Sequence, residues 1–104
     1  MDKYIVVTTL CNNIKIANKI IETLLEKRLV AGSQICKVDS KYWWDNKLEE
    51  SEEYKIEFRT KESLFIEIEN EVEKIHDYDV FEISCYEIKS NNKEFLNWID
   101  NETK

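Results

Sequence analysis

Apolar and polar residues follow two different periods in the first third of the chain. Tyr4–Thr9 are almost all apolar or β-branched, as in a central strand of a covered sheet. From Ile14 to about Lys27, apolar residues recur at helical spacing, which predicts an amphipathic helix. Asn12 or Asn13 lies where a helix N-cap is expected. The chain therefore opens with a strand and then a helix.

The middle of the chain has the pattern of a long β-hairpin. Leu29–Trp44 loses the helical period and is β-branched and aromatic at its ends, which favours a strand. Asp45-Asn46 is a turn signal, and Tyr54–Thr60 alternates apolar with charged residues, as in a strand with one wet face. Lys47–Glu53, between them, is highly charged and is expected to extend the hairpin away from the core.

The last third repeats the order of helix and strand. Lys61–Ile75 carries apolar residues on one helical face. His76–Asp79 is expected to be a loop, and Val80–Ile88 a fourth strand whose imperfect alternation suggests a bulge near Cys85. Ser90–Asn92 then caps a short last helix. The inner side of that helix is predicted to carry Phe95, Trp98 and Ile99.

Together these elements predict one α+β domain, residues 1–104, of the ferredoxin-like class. Two right-handed βαβ units give an antiparallel sheet with helices on one face. The domain adds a long hairpin between its second and third strands and a short C-terminal helix. The other face of the sheet is left open.

Charge and cysteine content narrow the classes of partner. The chain has 104 residues and a formal net charge of -7, which argues against nucleic acid and anionic membrane surfaces as partners. The three cysteines form no C-x-x-C pair, so neither a disulfide framework nor a zinc ribbon is indicated. The N-terminus has no signal-like segment and no stretch reaches transmembrane length. We therefore expect a cytoplasmic protein.

Tyr42, Trp43 and Trp44 form an unusual run of aromatic residues. Neighbours in a strand point to opposite faces, so these rings cannot all face one core. Either Tyr42 and Trp44 are inside and Trp43 covers an edge, or the rings bury against other subunits. The second interpretation is favoured because hairpin length and aromatic clustering agree.

Candidate chemical groups are few. The chain has one histidine and one glycine, so it offers almost none of the residues that a catalytic triad or a phosphate-binding glycine loop needs. His76 is either a loop or core residue or a ligand. Cys11 is either a thiol with a lowered pKa at a helix start, able to bind soft metals, or a small buried apolar residue. Cys36 and Cys85 are expected in the core.

Several motifs, in order and spacing over nearly the whole chain, resemble the CutA divalent-cation-tolerance family. The residues that carry this resemblance are Glu26–Gly32, Tyr42-Trp43-Trp44, Glu53, Arg59-Thr60, His76 with Tyr78, Glu82, and Phe95-Leu96 with Trp98-Ile99.

The resemblance implies a homotrimer of ferredoxin-like subunits with no catalytic activity, involved in tolerance of copper and other divalent ions. Such a protein would require no cofactor, and Cys11 and His76 would bind copper or another divalent cation. Long hairpins would extend the sheets of neighbouring subunits, with Tyr42, Trp43, Trp44 and Trp98 at the trimer interface. The resemblance also implies a cleft between subunits, lined by Trp44, Glu53, Arg59, His76 and Tyr78.

The sequence departs from the family pattern at five positions. Asp77 and Phe81 replace loop prolines, Gly32 replaces a common cysteine, Ile75 replaces a second histidine found in some members, and Arg59 replaces a lysine. These changes leave Cys11 and His76 as the only soft ligands of the copper-linked set.

Two other functions remain open from the sequence. The first is a trimeric small-molecule sensor that binds an anionic ligand in the intersubunit cleft beside Arg59. The second is an enzyme in which His76 acts as general acid-base with Glu53, which requires the two side chains to lie within hydrogen-bond reach.

Overall fold

The computed structural model describes residues 2–104, and it has the ferredoxin-like α+β order expected from the sequence. The four strands form one antiparallel sheet in the order β2-β3-β1-β4. The elements are β1 (Tyr4–Cys11), α1 (Ile14–Glu26), β2 (Gly32–Trp44), β3 (Lys47–Lys61), a 3₁₀ turn (Glu62–Leu64), α2 (Phe65–Ile75), β4 (Ile83–Glu87) and α3 (Lys93–Glu102).

The core lies between one face of the sheet and the helices α1 and α2. Alternate residues of the two central strands point into it because strand side chains have a period of two. The apolar faces of both helices cover them, as helical spacing predicts. This cluster is completely or almost completely buried and includes Ile5, Val7, Ala17, Ile20, Leu24, Ile56, Phe58, Ile68 and Val72.

The ends of α1 are closed by local polar contacts. The Asn13 side chain accepts hydrogen bonds from the backbone N–H groups of Lys15 and Ile16, at 2.8 and 3.3 Å. This satisfies donors that have no partner inside the helix. After α1, Arg28 takes a left-handed backbone with φ of 58°. The chain can then turn into β2 without a glycine at that position.

The β2–β3 hairpin extends well past the rest of the sheet. β1 pairs with β3 only between Tyr4–Lys61 and Cys11–Tyr54, whereas β2 pairs with β3 from Gly32–Arg59 to Trp44–Lys47. Val38–Trp44 and Lys47–Glu53 are therefore a two-stranded ribbon. Asp45 and Asn46 close it, both with positive φ (52° and 62°), as a tight hairpin turn requires.

The helix α3 packs against the sheet face opposite the core. Gly32 pairs directly with Arg59 and therefore faces the same side of the sheet. A Cβ atom on Gly32 would lie 2.7 Å from the Trp98 ring, so only glycine allows this close approach. Ile99 is fully buried but lies outside the main cluster.

The structure corrects three expectations. Lys61 ends β3, and α2 starts only at Phe65, because a 3₁₀ turn intervenes. The fourth strand is confined to Ile83–Glu87 and its register with β1 is continuous, so there is no bulge at Cys85. Cys85 and Cys36 are exposed and are not core residues. Cys85 lies on the edge strand β4, and Cys36 is opposite Lys55 and so points to the sheet face away from the core.

Candidate functional site

A cavity of about 970 Å³ lies between one strand of the hairpin ribbon, from Asp39 to Trp44, and the loop that precedes β4. This volume is at the upper end of the range of small-molecule sites. The cavity is built from three chain segments that the sheet topology brings together. Its walls are Leu10, residues 39–44, Glu53 and residues 77–82.

Glu53 and Tyr78 form a hydrogen-bonded pair in the wall of this cavity. The Tyr78 hydroxyl donates to Oε2 of Glu53 at 2.8 Å, and Glu53 is only 6% exposed. Burial, and then the contact with the Glu53 carboxylate, raise the pKa of the Tyr78 phenol above its ordinary value. The pair fixes the loop against β3 and keeps a carboxylate at the cavity.

His76 lies beneath the loop, with a fully buried side chain. Its Nε2 lies 2.6 Å from the Leu10 carbonyl oxygen, and its Nδ1 accepts the Tyr78 backbone N–H at 3.2 Å. A carbonyl can only accept, so Nε2 carries the proton and both ring nitrogens are occupied. The ring also stacks on Phe81 at 5.1 Å between centroids. His76 therefore anchors the loop to the end of β1.

Cys11 is a buried core residue. Its thiol lies 3.6 Å from the Asn13 carbonyl oxygen, and burial raises the pKa of the thiol. Of the two interpretations open from the sequence, the structure agrees with the small buried residue and not with the thiol of lowered pKa. A neutral buried thiol is a poor metal ligand, since the thiolate is the form that binds metal.

The geometry of Cys11 and His76 does not fit a resident metal ion in one subunit. No group of three or more histidine, cysteine, aspartate or glutamate side chains within residues 2–104 converges as a metal site. Both nitrogens of His76 and the thiol of Cys11 already make hydrogen bonds. That these two residues bind metal stays a prediction.

The residues expected to line one cleft lie in two separate places within the subunit. Trp44, Glu53 and Tyr78 line the large cavity, and His76 supports its floor. Arg59 instead lies beside a second cavity with Gly32, Phe95 and Trp98, 3.5 Å from a Glu57 carboxylate oxygen. The cavity that holds Glu53 therefore lacks the cation on which the hypothesis of an anionic ligand depended.

Within the described chain, His76 and Glu53 are also connected only indirectly, through Tyr78. Tyr78 contacts both of them, the ring of His76 through its backbone and the carboxylate of Glu53 through its hydroxyl. No hydrogen bond joins His76 to Glu53 among residues 2–104, so the acid-base pair is not assembled inside one subunit.

Sequence reasoning missed several residues of the cavity. Asp39 and Lys41 were hidden in the long strand, and the carbonyl of Leu10 carries no sequence signal at all. Phe81 and Glu82 were assigned to the fourth strand, although they belong to the loop. The Thr9 hydroxyl, which donates to the Glu82 carbonyl at 2.6 Å, helps to hold that loop.

Comparison with known proteins agrees with this architecture. Residues 5–102 match the family model described as CutA1 divalent ion tolerance protein. The chain belongs to the CutA1 family. The resemblance that the motifs suggested is thus confirmed over nearly the whole chain.

CutA1 relatives are similar in both sequence and structure. The chain is 34% identical over 88 residues to a divalent-cation tolerance protein CutA of Pyrococcus horikoshii, covering 85% of this chain and 86% of the relative. It is 37% identical over 84 residues to the Archaeoglobus fulgidus CutA, covering 81% and 82%. A structure described as the periplasmic divalent cation tolerance protein CutA from Archaeoglobus fulgidus has a TM-score of 0.94 with 31% identity, over 97% of this chain and 99% of that one. The Oryza sativa CutA1 structure also has a TM-score of 0.94, with 29% identity over 98% and 94%.

The helices of this CutA1 chain are short and amphipathic. Within residues 2–104, none is long and apolar enough to cross a membrane.

Proposed function

We propose that this CutA1 protein assembles as a homotrimer and acts in the tolerance of divalent metal ions, copper among them, without catalysing a reaction. The observation that carries the proposal is the ribbon of Val38–Trp44 and Lys47–Glu53. Among residues 2–104, no strand other than its own two pairs with it. A two-stranded ribbon alone in water is marginally stable, so contact with other subunits would account for its length.

The aromatic side chains on the ribbon support assembly. Tyr42, Trp43 and Trp44 are 41%, 71% and 51% exposed in the single subunit. Aromatic residues exposed together are typical of protein interfaces. Trp98, on α3 at the sheet face opposite the core, is 38% exposed, and it is the other residue that the resemblance assigns to the interface.

Light scattering coupled to size exclusion tests the assembly. We expect a particle of three chains that persists at micromolar concentration. A stable monomer of 12.5 kDa would overturn the trimer.

Copper binding is tested separately, because the subunit geometry does not present a ready site. Native mass spectrometry of the trimer, titrated with copper and in parallel with magnesium, counts bound ions per chain. Copper retained by the wild type and lost on Cys11→Ala would support Cys11 as a ligand. Copper retained equally by Cys11→Ala and Cys36→Ala would reject it.

Cytoplasmic location is part of the same proposal. Cys36 and Cys85 are exposed free thiols, which suits a reducing compartment better than an oxidising one. Fractionation of cells that express the tagged full chain tests this, and recovery outside the cytoplasm would contradict it.

A further inference from the structure

The large cavity has both acidic and aromatic residues in its lining. Five of its residues carry carboxylates and one carries an ammonium group. The single lysine, Lys41, is already 3.5 Å from the carboxylate of Glu50. Five other lining residues are aromatic, so flat apolar surface lies beside the negative charge. The carboxylates are Asp39, Glu53, Asp77, Asp79 and Glu82, and the aromatic residues are Tyr42, Trp43, Trp44, Tyr78 and Phe81.

Glu53 is the one buried carboxylate among these five, whereas the other four are exposed. The residue is 94% buried, and one of its oxygens accepts the Tyr78 hydroxyl. The other oxygen makes no hydrogen bond to residues 2–104, and it is not sealed from solvent, because the only enclosed unpaired side-chain atom there is the hydroxyl of Ser33. That oxygen is therefore open to the cavity and can accept a hydrogen bond from a ligand there. An ammonium group would be such a donor, and its bond to a carboxylate would be charge-assisted.

The distribution of the carboxylates favours an organic cation over a metal ion. A metal ion needs several ligands within about 2–2.6 Å of one point, and no three acidic, histidine or cysteine side chains converge in this way among the described residues. Charges spread around a long cavity instead suit a ligand with several separated ammonium groups. Aromatic faces bind the alkyl segments and attract the cations through their π-systems.

We propose that the cavity binds a linear organic polycation, of the alkyl polyamine class. Glu53 accepts a hydrogen bond from one ammonium group, the loop aspartates Asp77 and Asp79 face others, and Trp44 and Tyr78 contact the methylene segments. This proposal rests on the trimer proposed above in one respect, because Tyr42–Trp44 line the cavity and are also assigned to the trimer interface. The proposed ligand is a cation, whereas the sensor hypothesis drawn from the sequence had an anionic ligand.

Isothermal titration with spermidine tests the proposal on protein whose mass has first been measured by light scattering. We expect saturable binding that weakens as salt rises, since exposed charges are screened. Triethylene glycol, an uncharged chain of similar shape, should not bind. Magnesium at the same concentration should not displace spermidine.

Two variants with a matched control locate the site. Glu53→Gln keeps an acceptor for Tyr78 but removes the charge, and it should weaken spermidine binding about tenfold. Trp44→Leu should weaken it about threefold, because the aromatic face that contacts the methylene segments and attracts the neighbouring ammonium groups is lost. Glu52→Gln removes the same charge from the adjacent exposed position outside the cavity, and it should change affinity by less than about twofold.

The outcomes separate failure of the site from failure of the assembly. A verified trimer that does not bind spermidine overturns the site, as does equal binding by Glu53→Gln and Glu52→Gln or full displacement by magnesium. Specific binding by a chain that is not trimeric supports the site and contradicts only the trimer.

Discussion

At the scale of single residues, the hydrogen bond from Tyr78 to the buried carboxylate of Glu53 joins the loop to the sheet. Tyr78→Phe removes only the hydroxyl and leaves the buried Glu53 carboxylate without its donor. We expect a loss of about 2 kcal/mol in the free energy of unfolding, because an unpaired buried charge keeps its full desolvation penalty. Urea denaturation at fixed protein concentration measures the change.

Tyr4 provides a matched control for that substitution. Its hydroxyl also donates to a carboxylate, Oδ2 of Asp100 at 2.6 Å, but on the exposed surface. Water can replace that bond, so Tyr4→Phe should cost only about 0.5 kcal/mol. Equal losses for Tyr78→Phe and Tyr4→Phe would contradict the view that burial makes the Glu53 pair important.

At the scale of elements, the contact between Gly32 and Trp98 fixes α3 against β2. Gly32→Ala should cost about 1 kcal/mol, because the new methyl group would lie 2.7 Å from the ring. In a Trp98→Ala background the same change should become neutral or stabilise by about 0.5 kcal/mol. Gly32 has no positive φ, so alanine then only restricts the unfolded chain. Additive effects in the double variant would show that the ring moves away freely.

An ion pair joins the helices α1 and α2 and gives a pH-dependent contribution to stability. Lys27, at the end of α1, lies 3.1 Å from the carboxylate of Glu71 on α2. Hydrogen bonds from Lys27 and then Lys74 hold the pKa of Glu71 below its ordinary value. A carboxyl group whose pKa is lower in the folded state than its value of about 4.3 in the unfolded chain stabilises the fold at pH values above about 4.3. This stability is lost as the pH falls through the folded-state pKa.

Glu71→Gln should therefore lower the melting temperature near neutral pH, and the difference from the wild type should shrink below about pH 4. High salt should also reduce this difference, because part of the pair is exposed. The control is Glu73→Gln on the exposed side of α2, which is in no ion pair between the described residues. A gap between wild type and Glu71→Gln that stays constant down to low pH would contradict the assignment.

The sequence predicted those helices, strands and turns that have a clear period of apolar residues or a turn signal. The helical spacing gave α1 closely, and Asp45-Asn46 gave the hairpin turn. The start of β4 was misplaced because residues 80–82 are apolar enough for a strand, whereas hydrogen bonds from Thr9 and His76 hold the preceding segment as a loop. The role of His76 was also hidden, since its partner is a backbone carbonyl 66 residues away.

At the scale of the whole molecule, the hairpin makes the subunit longer than a compact domain. The radius of gyration is 14.4 Å and the extents are 45 × 26 × 21 Å, whereas a compact chain of this size has a radius of gyration of about 13 Å. The sequence indicated this length, and the exposed aromatic residues of the ribbon are the surface that we propose other subunits cover. Assembly is therefore where substitutions on the ribbon should have their largest effect.

Trp43 and Leu48 face each other near the tip of that ribbon and are 71% and 69% exposed. Replacing both with serine removes apolar surface that contributes nothing to the core, so the circular dichroism of the subunit should persist while the trimer dissociates at least about tenfold more readily. Lys41 and Glu50, the next pair on the same face, are equally exposed, and serine at both should leave the assembly unchanged, because an exposed ion pair contributes little. Dilution followed by light scattering compares the two double variants. Equal dissociation would mean that the ribbon is held by its backbone alone, and an unchanged Trp43–Leu48 variant would place the interface elsewhere.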